Sequence, residues 1–111
     1  MTPPHDGPGI ELDRFELVIF RRPHARAEIP DEQAEQIQSA HLAHLAAMHD
    51  AGHMRVAGPF DEQPDEAMRG MCIYRTGSIE RTRELAQSDP AVIAGRLAVD
   101  VMYWYCPRGQ F

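Results

Sequence analysis

The sequence predicts a small α+β domain in which strands and helices follow one another in the order β-α-β-β-α-β. Three observations lead to this fold class. Apolar residues alternate with a period of two in short runs, they recur with the helical period in one long segment, and Gly and Pro separate these runs. This order is the ferredoxin-like split βαβ arrangement, an antiparallel sheet with helices on one face.

The first strand and the first helix carry the clearest signals. Residues 12–22 are rich in aromatic and β-branched side chains that alternate between two faces, and Pro23 ends this strand. The long helix is predicted over residues 31–51, with Asp31 as its N-cap. Gly52 follows, where we expect the left-handed conformation that closes many helices.

The later elements are shorter. Strands are predicted over residues 53–57, 68–75 and 97–106, a helix over 79–86, and a further helical turn or two from 90 onward. Ser78 and Asp89 are candidate N-caps of the two later helices. Gly58-Pro59 is expected to end the second strand, and Gly70 predicts a bulge or a close approach of backbone or ligand.

Composition limits the classes of function. The chain has 111 residues and a formal net charge of -6, which suits one domain and argues against nucleic acid as a partner. We predict a folded domain over 13–107, a flexible tail over 1–12 and a short tail over 108–111. No apolar run approaches the roughly 20 residues that span a bilayer, so no membrane partner is expected.

The cysteines and the N-terminus indicate a cytoplasmic location. Cys72 and Cys106 lie in apolar, strand-like runs outside any CxxC motif, which favours buried free thiols over a disulfide or a nucleophilic cysteine. No basic start followed by an apolar segment is present, so no signal peptide is visible. One face of the predicted sheet has no helix to cover it, and we expect a second copy to pack there as a homodimer.

One polar residue does not fit the apolar face of the long helix. That face comprises Ala34, Ile37, Leu45 and Met48. His41 lies in the middle of it and needs a partner for its ring. The simpler interpretation is a core histidine that a backbone carbonyl or a water satisfies. The functional interpretation is general acid/base chemistry, which works best when a carboxylate orients the imidazole.

Two further interpretations of these residues stay open. His41 and His44 are three residues apart on the helix and could in principle ligate zinc, but no HExxH pattern and no cysteine at ligand spacing accompany them. We therefore expect no metal and no other cofactor. Asp89 could be a plain helix cap or a catalytic carboxylate, and no glycine spacing matches a phosphate-binding loop.

Two stretches of the chain resemble a known family. HLAHLAAMHDAGHMRVAGPF (41–60) and SDPAVIAGRLAVDVMYWYCP (88–107) are similar to the motif HLxYLxxLxxxGxLxxxGPF and to the Asp-Pro and closing strand of the YciI-like, or YCII-related, proteins. The resemblance covers about residues 15–107. It implies a dimeric α+β barrel with a His-Asp pair as the active site, here His41 and Asp89. His44 stands where the family often has Tyr, and some relatives are linked to dehydrochlorination of chlorinated hydroxyquinols.

Together these observations favour a cofactor-independent enzyme. His41 would act as general acid/base and Asp89 would orient it, in a lyase or dehydrohalogenase-like reaction on a small organic substrate. The predicted substrate-binding residues are His44, Gly58, Pro59, Phe60 and Trp104. The alternative is a non-catalytic dimeric ligand-binding or accessory module, in which the pair only holds the helix on the sheet. A weaker alternative is a metal-binding protein that uses His41 and His44.

Overall fold

A four-stranded antiparallel sheet carries the helices on one of its faces. The computed structural model describes residues 10–111; residues 1–9, most of the predicted N-terminal tail, lie outside the described residues. Within 10–111 the elements are β1 (Leu12–Arg21), α1 (Asp31–Asp50), β2 (Met54–Pro59), β3 (Met68–Tyr74), α2 (Ile79–Gln87), α3 (Pro90–Ile93) and β4 (Ala98–Pro107). The predicted α+β fold and its element order are confirmed.

The sheet order is β2-β3-β1-β4, so β3 lies between the two strands that α1 connects. Val18 at the centre of β1 is opposite Cys72 on one side and Val101 on the other. This is the split βαβ arrangement. The end of β1 and the start of α1 lie at the same end of the sheet. None of the helices within 10–111 is long and apolar enough to cross a membrane.

The two faces of the sheet are both apolar, as the alternation in β1 and β4 predicts. The face under the helices holds the larger core, with Val18, Phe20, Met54, Cys72, Tyr74 and Ala86 buried. On the opposite face Phe15 is fully buried, because Trp104 and Phe111 pack against its ring with centroids 6.3 Å and 5.7 Å away. Phe111 therefore contacts this face although it belongs to the predicted C-terminal tail.

The sequence predicted the C-terminal end of α1 correctly, but not its N-terminal end. The N-cap is Pro30 and no side chain caps the helix there, so the prediction of Asp31 as N-cap is wrong. Asp31 is instead inside the first turn, where its charge still faces the positive end of the helix dipole. At the C-terminus Gly52 has φ +82° and its N–H donates to His49 O at 3.0 Å, which confirms the predicted left-handed residue.

Gly58 and Pro59 belong to β2 instead of ending it, because both pair with β3. Gly58 is opposite Met71 and Pro59 is opposite Gly70. A Cβ atom at Gly70 would lie 2.7 Å from Gly58 O, so a side chain there would collide with the neighbouring strand. Of the bulge or close approach of backbone or ligand that Gly70 predicted, the close approach of backbone is confirmed.

Candidate active site

His41 and Asp89 form a direct hydrogen bond in the interior of the domain. His41 Nδ1 and Asp89 Oδ2 are 2.6 Å apart, and the two residues are 8% and 0% exposed. Because an ionised carboxylate only accepts hydrogen bonds, the proton on this side of the ring resides on Nδ1. The other ring nitrogen, Nε2, then has its lone pair free to accept a proton.

The helices α1 and α3 position His41 and Asp89. His41 is the one buried residue of α1, and it lies on the side of the helix that packs on the sheet. Asp89 is the N-cap of α3, where its Oδ1 accepts a hydrogen bond from the N–H of Ala91 at 2.9 Å. Pro90 at the first helical position fixes the backbone that follows. Asp89 thus uses one oxygen to cap a helix and the other to hold an imidazole.

An aromatic ring limits how the imidazole can turn. Phe20 on β1 packs edge-on against the His41 ring, with centroids 5.4 Å apart and planes at 87°. The hydrogen bond to Asp89 and this contact hold the ring from two sides. Among the hydrogen bonds of residues 10–111, none involves His41 Nε2, so the ring is oriented while its second nitrogen stays available.

A pocket of about 330 Å³ opens beside His41. The lining comes from α1, from the ends of β1, β2 and β3, and from the residue before β4. Its members are Phe20, Gln38, His41, Leu42, Leu45, Ala57, Gly58, Pro59, Arg69, Gly70, Met71 and Leu97. Most of these side chains are apolar, and His41, Gln38 and Arg69 supply the polar groups, as is usual for a site that binds a small molecule.

The structure brings together some of the predicted site residues and separates others. His41, Asp89, Gly58 and Pro59 meet at or beside the pocket. His44 is half-buried on α1, does not line this pocket, and has an Nε2 atom without a hydrogen-bond partner among the described residues.

The two predicted aromatic residues are not part of the pocket wall. Trp104 lies on the opposite face of the sheet, beside Phe15, and Phe60 lies just beyond the end of β2. The assignments of His44, Phe60 and Trp104 to ligand binding stay predictions.

Several pocket residues were not among the predicted ones. Gln38 lies three residues before His41 and Leu42 four residues after Gln38, so helical periodicity could have indicated both, as it placed Leu45 on the face of His41. Arg69 precedes Gly70, whose close backbone approach was visible in the sequence. Phe20 gives no such signal, because its contact with His41 depends on how α1 crosses β1.

The buried thiols do not have the properties of a nucleophile. Cys72 and Cys106 are free and buried within the described chain. Burial, and to a smaller extent the charge of Asp89, raises the pKa of Cys72 to about 12, so almost no thiolate is present near neutral pH. Burial also raises the pKa of Cys106 above its ordinary value. The raised pKa values therefore disfavour a nucleophilic role for either thiol.

The ligand set for a metal is also incomplete in the part of the chain that the structure describes. Residues 10–111 contain no group of three or more His, Cys, Asp or Glu side chains placed to hold a metal ion. His41 directs Nδ1 to Asp89, and His44 is three residues further along the helix.

The fold and the site together define a class: a small ferredoxin-like α+β protein with a buried His-Asp pair beside a ligand-sized pocket. The model of the YCII-related domain matches residues 16–105, and the chain belongs to that family. No curated protein matches the sequence.

The fold is similar to that of a solved enzyme structure. That enzyme is 5-chloro-2-hydroxyhydroquinone dehydrochlorinase from Burkholderia phenoliruptrix AC1100, in complex with 2,5-dihydroxybenzoquinone. The match has 23% sequence identity and a TM-score of 0.52, and it covers 80% of this chain and 92% of that chain. At this identity the likeness shows the fold.

Proposed function

We propose that this protein is a cofactor-independent enzyme in which His41 acts as general acid/base on a small organic substrate. The observation that carries the proposal is the 2.6 Å contact between His41 Nδ1 and Asp89 Oδ2 beside a pocket of about 330 Å³. A buried carboxylate that fixes one imidazole nitrogen and leaves the other for a ligand is an arrangement well suited to general base catalysis.

The proposed reaction is an elimination of the lyase or dehydrohalogenase type. His41 Nε2 removes a proton from the substrate, the electrons of that bond form a new double bond, and a leaving group such as chloride departs with its own electron pair. The proton passes from the imidazolium to solvent, so atoms and electrons balance without an oxidant or a reductant. Asp89 keeps the proton on Nδ1 before the reaction and stabilises the imidazolium that forms.

The choice of reaction has support from the structural neighbour, which is named as a dehydrochlorinase and holds a six-membered quinone ring. A ring of that size is compatible with the volume of the pocket and with its mainly apolar wall. Gly58 and Pro59 would contact such a ring through backbone and pyrrolidine atoms, while His41 faces one edge of it.

The first test is chloride release from 5-chloro-2-hydroxyhydroquinone, followed by a screen of related chlorinated phenols. We expect His41→Gln to lower kcat/KM by roughly 10²–10⁴-fold, the usual contribution of general acid/base catalysis. His49→Gln is the matched control, because His49 lies on the same helix with a largely exposed ring. Equal turnover by the wild type and the His41 variant across every substrate that reacts would refute the catalytic role.

Binding of ring compounds without any turnover would instead favour the non-catalytic ligand-binding or accessory module. In that case His41 and Asp89 hold α1 against α3, and His41→Gln lowers the stability without changing a reaction. Chemical denaturation of the two variants, run beside the turnover assay, separates these outcomes.

The proposal includes a homodimer in the cytoplasm, formed through the sheet face that has no helices. That face presents Leu17, Ile19, Val56, Met71, Met102 and Trp104, and Met102 and Val56 are 41% and 42% exposed. Sedimentation of Met102→Glu should give a lower mass than that of the wild type. Ile93→Glu is the control, since Ile93 is exposed on the helical side. A monomeric wild type would refute the dimer.

A further inference from the structure

Four arginines, Arg22, Arg26, Arg69 and Arg96, lie near one another at one end of the sheet, where Arg69 lines the pocket, and form what we call the arginine cluster. They come from three separate parts of the chain, the loop after β1, the start of β3 and the turn before β4. The chain as a whole has a net charge of -6 and contains no lysine. This region is therefore locally positive, although the net charge of the protein is negative.

Contacts of Arg69 and Arg96 place these two members of the cluster beside the pocket. Arg69 lines the pocket, and Arg96 is adjacent to Leu97, which also lines it. Arg96 Nη1 donates to Ala27 O at 3.0 Å, which ties the turn before β4 to the loop that carries Arg22 and Arg26.

The backbone of Arg22 is joined to the hairpin that carries Arg69. The N–H of Arg22 donates to Ala67 O at 2.8 Å, two residues before Arg69 in the chain. The loop after β1, the start of β3 and the turn before β4 are therefore neighbours at one end of the sheet.

The positive charges of the cluster act on one another. Burial, followed by the charges of Arg96, Arg22 and Arg69, lowers the pKa of Arg26 below its ordinary value. In the described part of the chain none of the four guanidinium groups lies within ion-pair distance of a carboxylate. Arg21, which precedes the cluster, is different, because its Nε is 2.6 Å from Asp100 Oδ2.

The acidic loop between β2 and β3 does not neutralise the cluster by direct pairing. Asp61 Oδ1 accepts a hydrogen bond from the N–H of Glu62, and Asp65 Oδ1 accepts one from the N–H of Ala67. These carboxylates bind their own backbone. Positive charges that repel one another and that pair with no carboxylate of the described residues are favourable partners for an anion, which a guanidinium can bind through two parallel hydrogen bonds.

We infer that the arginine cluster makes the pocket selective for small anionic organic molecules, with the anionic group at Arg69 and the apolar part of the ligand extending to His41. The inference rests on the proposed function and adds the substrate class: carboxylates, phenolates or enolates with one ring. The pocket volume of about 330 Å³ limits the ligand to a small molecule. The negative charge of the rest of the protein would repel such ligands, so the cluster supplies the local attraction.

A matched pair of probes tests the charge preference directly. 2,5-Dihydroxybenzoate and 2,5-dihydroxybenzamide have the same ring and hydroxyl groups and differ in one negative charge near neutral pH. Isothermal titration calorimetry at low salt should give a dissociation constant at least about tenfold lower for the acid, since an ion pair with Arg69 at the pocket wall adds an attraction that the neutral amide lacks. Added sodium chloride should weaken the acid far more than the amide.

Arg69→Gln should remove most of the preference. Arg83→Gln is the control, because it makes the same change in charge at an exposed residue of α2, a helix that contributes nothing to the pocket wall. The inference is overturned if the amide binds as tightly as the acid, if the acid shows no saturable binding at millimolar concentration, or if Arg69→Gln retains the full preference.

The same titrations on His41→Gln separate this inference from the proposed function. The variant should keep the preference for the acid, because the charge that selects the ligand resides on the arginines. Turnover that depends on His41 without any preference for anions would overturn the inference and leave the proposed function standing. A preference for anions without turnover of any substrate would overturn the proposed function and leave this inference standing.

Discussion

The two carboxylate oxygens of Asp89 have different partners, and the substitution Asp89→Asn separates their effects. Oδ1 accepts from the N–H of Ala91 at 2.9 Å, and an asparagine carbonyl can accept the same bond. The amide nitrogen then faces His41 Nδ1, where Oδ2 was 2.6 Å away. Because an amide N–H donates, His41 must accept at Nδ1, and its proton moves to Nε2 on the side of the pocket.

The expected losses differ widely between activity and stability. With Nε2 protonated, the neutral imidazole no longer serves as a base toward the ligand, and we expect kcat/KM to fall roughly 10²–10⁴-fold. That range corresponds to about 3–5 kcal/mol of transition-state stabilisation. Unfolding free energy should fall by only about 1 kcal/mol, since Asn caps a helix nearly as well as Asp and a hydrogen bond to Nδ1 is kept.

Asp89→Ala provides the contrast. It removes the cap of α3, which contributes about 1 kcal/mol, and it leaves the buried His41 Nδ1 without a partner, which costs roughly 1–3 kcal/mol more. Asp89→Ala should therefore lower both stability and activity, while Asp89→Asn should lower activity far more than stability. Urea denaturation and turnover of 5-chloro-2-hydroxyhydroquinone measure the two quantities on the same preparations.

A spectroscopic assay reads the tautomer without a substrate. Long-range ¹H–¹⁵N correlation spectra distinguish a protonated from an unprotonated ring nitrogen, and His41→Gln identifies the signals of His41. We expect Nδ1 to be protonated in the wild type and Nε2 in Asp89→Asn. The reasoning is refuted if the proton of the neutral ring stays on Nδ1 in Asp89→Asn, or if that variant turns over substrate at the rate of the wild type.

Three further predictions concern buried contacts and a buried thiol of the domain. In Gly70→Ala the new methyl group would meet Gly58 O at 2.7 Å, so β2 must shift at a cost of roughly 1–3 kcal/mol, and a urea midpoint equal to that of the wild type would contradict this contact. Thr82→Val removes a hydroxyl that donates to buried Glu16 Oε1 at 2.7 Å and should cost roughly 1.5–3 kcal/mol in denaturation, whereas Thr82→Ser keeps the hydroxyl and should cost less. The pKa of Cys72 is raised from 9.0 to about 12, so its labelling by iodoacetamide at pH 8 should be about a thousandfold slower in the folded protein than after unfolding. Rapid labelling of the native thiol would contradict the burial of that side chain.

The local pattern of the sequence predicted most of the elements. Alternation in β1 and β4 and the helical period of α1 depend only on residues that are close in the chain. The caps at Ser78 and Asp89 were also visible, because a cap is a contact within three residues. The same pattern identified His41 as a polar residue on an apolar face, and its burial agrees with that position.

Features that depend on neighbouring strands were predicted less well. The second strand was expected to end before Gly58, yet it continues through Pro59, since β3 pairs with both residues. The N-cap of α1 was assigned to Asp31 from its residue type alone, and the backbone places the cap at Pro30. The pairing with β3 decides where β2 ends, and the backbone conformation decides where α1 begins. Neither can be inferred from the residue types of the segment alone.

By itself the sequence determined the element order, the polar residue on the core face of α1 and, through the resemblance of two motifs, Asp89 as its candidate partner. Only the tertiary structure showed that His41 and Asp89, 48 residues apart in the chain, form a hydrogen bond of 2.6 Å, that Trp104 lies on the other face of the sheet, and that Arg69 lines the same pocket as His41. The reason is physical. Periodicity reports which side of an element is buried, whereas the meeting of distant side chains depends on strand order, register and the angle at which a helix crosses the sheet.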